Sequence, residues 1–202
     1  MNKVISSTWF KCISVLLTIA LIAGGLLAIL NDVLYVSPSE RTMRAIEKIY
    51  GEEKEYSVVL DVDGTDESKK NPVVCSDYGV IEKIFTVGDI SSQSFDILFR
   101  ATGNHGYKEG TITLWIKVSV NSGNYRIDKT ILETFTKQTL MSKLGDYYGT
   151  FDDDIIGKYY SPKEKDKDKT NIIYAPVSGA TKSATATCNA VNCVIYYLTE
   201  VA

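Results

Sequence analysis

A threonine stands directly before a predicted helix in the segment Val177-Ser178-Gly179-Ala180-Thr181 of this 202-residue chain. Small residues such as those before Thr181 allow a sharp and accessible turn of the backbone. Free N–H groups and the dipole at a helix start favour an anion such as a phosphate, so Thr181 is a candidate for phosphate chemistry. An ordinary N-cap turn is the alternative, since Ser and Thr are common at that position. From about Ala184 the apolar residues recur at helical spacings of three and four, and they are Cys188, Val191, Val194, Ile195 and Leu198.

The sequence Ser-Gly-Ala-Thr before a C-terminal helix resembles the flavinylation motif of the FMN-binding domain family. Members of that family include flavin-carrying components of the Rnf complex and of the Na+-translocating NADH:quinone reductase (Nqr). The last Thr of the motif carries FMN there, so the resemblance implies covalent FMN on Thr181 through a phosphoester. It also implies that Ser178, Gly179 and Ala180 give a flavin transferase access to the hydroxyl. The family commonly has Asp three residues before the Ser, where this chain has Ala175.

A glycine-tyrosine loop and a β-hairpin form the middle of the chain. The loop Gly106–Gly110 leads into residues 112–120, in which apolar and polar residues alternate as in a half-buried strand. A turn at Asn121–Asn124 and a return strand at Tyr125–Leu132 complete the predicted hairpin.

This loop, the hairpin and the pair Glu133-Thr134 resemble the middle of the FMN-binding domain. In that family the Gly-Tyr loop and the Glu-Thr pair lie near the flavin. The resemblance therefore implies that Tyr107, Glu133 and Thr134 contribute to the cofactor site. Phe135-Thr136 stand where the family often has Pro-Gly.

A second motif, Asp61-Val62-Asp63-Gly64-Thr65, follows an apolar run. It resembles the nucleophile loop of haloacid dehalogenase-like phosphatases, in which Asp61 would be the nucleophile and Asp63 the acid/base. The run Asp152–Asp154 would then bind Mg2+. Such enzymes need βα units around a parallel sheet, whereas the residues that follow predict turns and antiparallel strands. Asp-Gly also forms an ordinary hairpin turn.

An uncharged stretch, residues 12–31, predicts a transmembrane anchor, because about 20 residues of helix span a bilayer core. No Ala-x-Ala-like cleavage site follows, which favours a retained span over a cleaved signal. Lys3 and Lys11 precede the span and Asp32 follows it. This asymmetry predicts a cytoplasmic segment 1–11 and an extracytoplasmic domain, hence a single-pass protein of the cell membrane.

The remaining residues predict an α+β fold in which a mainly antiparallel sheet is packed with helices. Residues 32–55 are the predicted juxtamembrane helix, with Ser39 as N-cap and Gly51 as stop. Residues 56–202 are the predicted FMN-binding domain, with further strands at Val58–Val62, Val73–Cys75, Val80–Val87, Phe95–Ala101 and Asn171–Tyr174. Leu140, Leu144, Tyr147 and Phe151 predict one more helix face.

The amino-acid composition gives little support for nucleic-acid binding, histidine-dependent catalysis or a metal site. The net charge of -3 gives no indication of a nucleic-acid partner. His105 is the only histidine, so His-rich metal sites and His-dependent nucleophilic catalysis are hard to build. The run Asp152–Asp154 and the alternating charges of residues 163–169 are typical of solvated loops, and no metal site is predicted. The four Cys residues, Cys12, Cys75, Cys188 and Cys193, lack zinc-ligand spacing. Cys12 lies in the predicted anchor, and the other three are predicted to be buried free thiols.

These patterns together predict a membrane-anchored electron-transfer flavoprotein rather than an enzyme acting alone. The resemblance implies FMN as covalent cofactor, the other subunits of an Rnf-like or Nqr-like ion-translocating complex as partners, and a flavin transferase for maturation. Two alternatives stay open: the phosphatase, and an extracytoplasmic binding or assembly module without flavin.

Overall fold

The computed structural model describes residues 8–91, 94–144, 159–160 and 177–201. The chain divides into two compact units between Arg41 and Thr42. The first contains helix α1 (Thr8–Leu34), whose most apolar part has no buried residue. By length and composition, this helix could cross a membrane once.

Helix α2 (Pro38–Tyr50) begins one residue before the predicted cap, Ser39. The Glu40 N–H donates to Ser37 Oγ at 3.2 Å, so Ser37 rather than Ser39 is the N-cap. Pro38 then takes the first helical position, where its missing N–H does no harm. Gly51 ends the helix with φ +78° and donates its N–H to the Glu47 carbonyl at 2.7 Å, which confirms the predicted stop.

The second unit is built on one antiparallel sheet of seven strands among the described residues. Its strand order is β1-β3-β4-β5-β6-β7, and β2 pairs with β3 beyond the end of β1. The mainly antiparallel sheet with packed helices confirms the predicted α+β class. The strands are β1 (Tyr56–Asp61), β2 (Val73–Cys75), β3 (Gly79–Val87), β4 (Ser94–Gly103), β5 (Ile112–Asn121), β6 (Asn124–Phe135) and β7 (Tyr159–Tyr160).

The predicted hairpin is the pair β5–β6, in which Asn121 lies opposite Asn124. Ser122 and Gly123 both take positive φ, at +50° and +82°. Two residues of positive φ match the right-handed twist of the strands, so this turn closes the hairpin tightly.

Helix α3 (Thr181–Tyr196), followed by a π turn (Tyr197–Val201), covers one face of the sheet. A Cβ on Gly103 would lie 2.0 Å from the Ala186 carbonyl oxygen, so glycine at the end of β4 lets the helix lie directly on the sheet. The predicted helical core is confirmed, because its five apolar residues are buried, namely Cys188, Val191, Val194, Ile195 and Leu198.

Helix α2 covers part of the other face. Ile46 and Ile49 are buried there against Phe85, Leu98 and Trp115. Each face of the sheet thus has its own apolar cluster, and α2 belongs to the packed domain from Thr42 onward.

The predicted helix from Leu140 is wrong in its described part, where Met141–Lys143 form a single 3-10 turn. Several predicted features lie outside the described residues: Tyr147, Phe151, Asp152–Asp154, Asn171–Tyr174 and Ala175.

Candidate functional site

The start of α3 presents Thr181 as its first helical residue, not as the residue before it. Ala180 occupies the N-cap position, and its carbonyl accepts the Ala184 N–H at 2.9 Å. An alanine has no side-chain acceptor, and no side chain in the described part of the chain caps this end. The first-turn N–H groups of α3 therefore keep their affinity for an anionic oxygen.

The turn before the helix is exposed on one side and anchored on the other. Ser178 and Gly179 are exposed, and Gly179 takes φ +77°. Ala180 is buried against Ala184 and Leu144. The Thr181 side chain is exposed, and its Oγ–H makes a long hydrogen bond of 3.3 Å to the Val177 carbonyl. The Thr181 hydroxyl is thus accessible on a fixed backbone.

Lys143 brings a positive charge to this turn. A Cβ placed on Gly179 would lie 2.7 Å from Lys143 Nζ, so the ammonium group rests against the glycine. The neighbouring Leu144 is buried under Ala180, which holds this segment in place. A lysine ammonium and an uncapped helix N-terminus attract the same sign of charge. Sequence reasoning missed Lys143, although the predicted burial of Leu144 pointed to its segment.

Gln138 joins the glycine-tyrosine loop to the first turn of α3. Its Oε1 accepts the Tyr107 N–H at 3.1 Å and the Ser183 hydroxyl at 2.7 Å. Its Nε2 donates to the Thr136 carbonyl at 2.9 Å. The side chain is buried, so these bonds are shielded from water and fix the loop relative to the helix. No local sequence pattern pointed to Gln138 as a functional residue.

The loop closes tightly around the Gln138 amide. Gly106 N–H donates to the Gly110 carbonyl at 2.9 Å, and a Cβ on either glycine would lie within 2.5 Å of Gln138 Nε2. Two glycines are therefore needed for the close approach. Tyr107, between them, keeps 40% of its surface exposed, and the Lys108 ammonium lies 5.5 Å from its ring centre.

Glu133 and Thr134 lie in a different environment. Glu133 is the extra residue of a bulge, because Leu132 pairs with Leu114 and Thr134 with Thr113. The Glu133 carboxylate accepts from Arg100 Nε at 2.6 Å on the sheet face opposite α3. Among the described residues, no hydrogen bond or ion pair joins Glu133 or Thr134 to the turn before α3. Their implied cofactor role stays a prediction.

The two carboxylates of the Asp-x-Asp turn form ion pairs with a lysine of the neighbouring strand β3. Lys83 Nζ lies 2.9 Å from Asp61 Oδ1 and 3.1 Å from Asp63 Oδ2, and the lysine side chain is only 4% exposed. Asp61 Oδ1 also accepts the Asp63 N–H at 3.1 Å. β1 pairs antiparallel with β3, and the described residues contain no group of acidic, Cys or His side chains able to hold a metal ion. Both carboxylates of the motif are therefore already paired, while the run Asp152–Asp154 that would bind Mg2+ lies outside the described residues.

An open cleft of about 620 Å³ lies on the α2 side of the sheet. Two lysines line it. Lys54 is paired with Glu52 at 2.5 Å, and Lys117 with Asp96 at 3.1 Å and Asp128 at 3.7 Å. The Lys117 ammonium also lies 4.8 Å from the Tyr50 ring centre. The lysines of the cleft therefore already have carboxylate partners and do not favour an anionic ligand, in contrast to the turn before α3.

No protein-family model, curated protein or solved structure matches the chain. A function must therefore rest on the residues of the chain itself.

Proposed function

We propose that this chain is a membrane-anchored electron-transfer flavoprotein that carries FMN on Thr181 through a phosphoester. The observation that supports it is an accessible Thr181 hydroxyl on the uncapped first turn of α3, with the Lys143 ammonium beside it. The sequence Ser178-Gly179-Ala180-Thr181, which resembles the flavinylation motif, occupies this turn.

The residues of the turn fit a phosphoester. Such an ester keeps a negative charge, which the N–H groups of the first turn stabilise by about 0.3–1 kcal/mol. Lys143 adds a second favourable charge. Esterification removes only the long hydrogen bond from Thr181 to Val177. The exposed Ser178 and Gly179 leave one side of the hydroxyl open to a flavin transferase.

The FMN group, when bound, supplies the redox chemistry, while the protein supplies position and electrostatics. We assign contact with the isoalloxazine ring to Tyr107. Its partly exposed ring belongs to the loop that Gln138 ties to Ser183. The Gln138 bonds hold the backbone of Tyr107 in a fixed relation to the first turn of α3, which carries the attachment residue.

The membrane anchor is part of the same proposal. Helix α1 would cross the cell membrane once, with Lys3 and Lys11 on the cytoplasmic side and the domain outside. A covalent tether suits a site that faces open water, because the cofactor cannot dissociate. The partners would be neighbouring redox subunits of an Rnf-like or Nqr-like ion-translocating complex.

The test is to coexpress the full chain with a flavin transferase, denature it and look for flavin fluorescence in the protein band. We expect a fluorescent wild-type band with the mass of one added FMN group. Thr181→Ala should be dark, because the hydroxyl is the attachment point. Thr185→Ala, one turn later on the same helix, is the matched control and should stay fluorescent. A dark wild-type band, or a fluorescent Thr181→Ala band, would contradict the proposal.

A further inference from the structure

Two buried thiols from distant parts of the chain meet under α3. Cys75 is the last residue of β2 and Cys193 lies on α3, and both are fully buried in the same apolar core. Cys75 pairs with Gly79 in the sheet, and a Cβ on Gly79 would lie 1.9 Å from the Thr102 carbonyl oxygen, so the end of β2 lies close to Thr102. Cys75 Sγ lies 3.6 Å from the Val73 carbonyl oxygen, and Cys193 Sγ lies 4.0 Å from that of Thr102.

We propose that Cys75 and Cys193 form a disulfide bond in the mature protein and tie β2 to α3. A disulfide bond needs the two sulfurs about 2.05 Å apart, and both thiols already lie in the same apolar core. β2 has three residues and, among the described strands, pairs only with β3. A covalent link from this short strand to α3 would close a loop of more than a hundred residues, and long loops give the largest entropic stabilisation.

The contact also sets different acidities for the two thiols. The neighbouring Cys193 thiol lowers the pKa of Cys75. The Cys75 thiol and burial together raise the pKa of Cys193. These shifts belong to the folded domain, in which α3 covers both thiols.

The reaction requires an oxidant, which we assign to an extracytoplasmic protein disulfide of the thiol-oxidase class. The Cys75 thiolate attacks one sulfur of that disulfide and releases the other as a thiol after proton uptake. The Cys193 thiolate then attacks the Cys75 sulfur of the mixed disulfide. The oxidant leaves as a dithiol with two electrons and two protons, and the Cys75–Cys193 bond remains. Both thiols are covered in the folded domain, so the exchange precedes the docking of α3.

Cys188 is the natural control. It lies on α3 five residues before Cys193, which is about 140° around the helix axis. Its sulfur therefore leaves the helix in another direction and should not enter the bond. The remaining cysteine, Cys12, belongs to α1.

The disulfide depends on the extracytoplasmic placement of the domain in the proposed function, but not on the flavin. The test uses the full chain in cells whose extracytoplasmic space contains a disulfide oxidase. Cells are quenched in acid, and free thiols are blocked under denaturing conditions. Disulfides are then reduced and labelled with a heavier maleimide. We expect two labelled cysteines in the wild-type chain and, without reduction, one linked peptide that contains Cys75 and Cys193.

Cysteine variants distinguish the Cys75–Cys193 bond from the other possible cysteine pairings. The double variant Cys12→Ser/Cys188→Ser keeps only the proposed pair and should still take two heavy labels. Cys193→Ser should take none. A wild-type chain without heavy label, or a linked peptide joining any other pair, would overturn the proposal. Flavin fluorescence in the same band reports on Thr181 separately, so a fluorescent but fully reduced chain would refute the disulfide alone.

Discussion

Two short turns of this domain carry side chains suited to phosphate chemistry, one at Asp61–Gly64 after β1 and one at Ser178–Thr181 before α3. In the first, a buried lysine from β3 already neutralises both carboxylates. In the second, the hydroxyl is exposed and the helix end has no side-chain cap in the described part of the chain. Lys143 lies beside it, and no carboxylate of the described residues pairs with that lysine. Within the described residues, the charges of the first turn are already paired, and we call it the closed turn. The second turn, which we call the open turn, keeps an unpaired lysine and uncapped N–H groups.

The comparison teaches that a motif gains or loses chemistry through the neighbours that satisfy its polar atoms. A carboxylate nucleophile must be free to meet its substrate, but Asp61 is held by Lys83 and by the Asp63 N–H. A buried ion pair of this kind serves structure, since removing one partner leaves an unpaired charge. The open turn can accept a covalent anion without losing any strong internal bond.

The closed turn should be the more sensitive of the two to loss of its lysine. Lys83→Met leaves the Asp61 carboxylate, which is only 17% exposed, without its lysine, and we expect it to lower the free energy of unfolding by about 3 kcal/mol. Urea titration of the detergent-solubilised chain measures this through Trp115, in a Trp9→Phe background. Adding Asp61→Asn to Lys83→Met should restore part of the loss.

Lys69→Met is the control for that measurement. Its ion pair with Asp66 is exposed and spans 3.7 Å, so its loss should change stability by less than about 1 kcal/mol. Equal losses for the two lysine variants would mean that the Asp61 turn is not closed by a buried charge.

The scaffold of the open turn depends on Gln138. Gln138→Ala leaves the Tyr107 N–H and the Ser183 hydroxyl without their partner, which should cost about 2 kcal/mol. Flavin attachment should persist per folded molecule, because Thr181 is untouched, but the fluorescence of bound flavin should change as the Tyr107 loop loosens. The exposed neighbour variant Thr139→Ala should alter neither quantity. If the fluorescence spectrum of the bound flavin is unchanged in Gln138→Ala, the assigned contact between Tyr107 and the flavin is wrong.

The smallest expected effect on stability comes from the open turn itself. Gly179 has φ +77°, so Gly179→Ala should cost roughly 1 kcal/mol in backbone strain. It should also slow flavin attachment, because the added methyl displaces Lys143 and shifts the turn. Gly123→Ala is matched in backbone strain, with φ +82° and open space around it, but lies in the β5–β6 hairpin. If flavin attachment is slower in both Gly179→Ala and Gly123→Ala, the cause is lost stability rather than a change in the turn before α3.

Local patterns in the sequence determined the apolar helix, the β5–β6 hairpin, the end of α2 at Gly51 and the buried face of α3. Each of these depends on residues within one or two turns of helix or on neighbouring positions of a strand. The Ser-Gly-Ala-Thr turn could be recognised for the same reason. The N-cap of α2 was misjudged because Ser37 and Ser39 are both suitable, and only the backbone geometry chose between them.

Tertiary structure alone decided which polar groups are satisfied and which remain available. A register shift between Ile81 and Lys83 breaks the alternation of β3, and Ile84 instead enters the core beside Ile81. With strict alternation, the Lys83 side chain would lie on the same apolar face of β3 as Ile81. The bulge changes its direction and lets it reach Asp61. The bridge through Gln138 and the meeting of Cys75 with Cys193 likewise join residues far apart in the chain. Such contacts depend on strand register and helix docking, which no local pattern encodes.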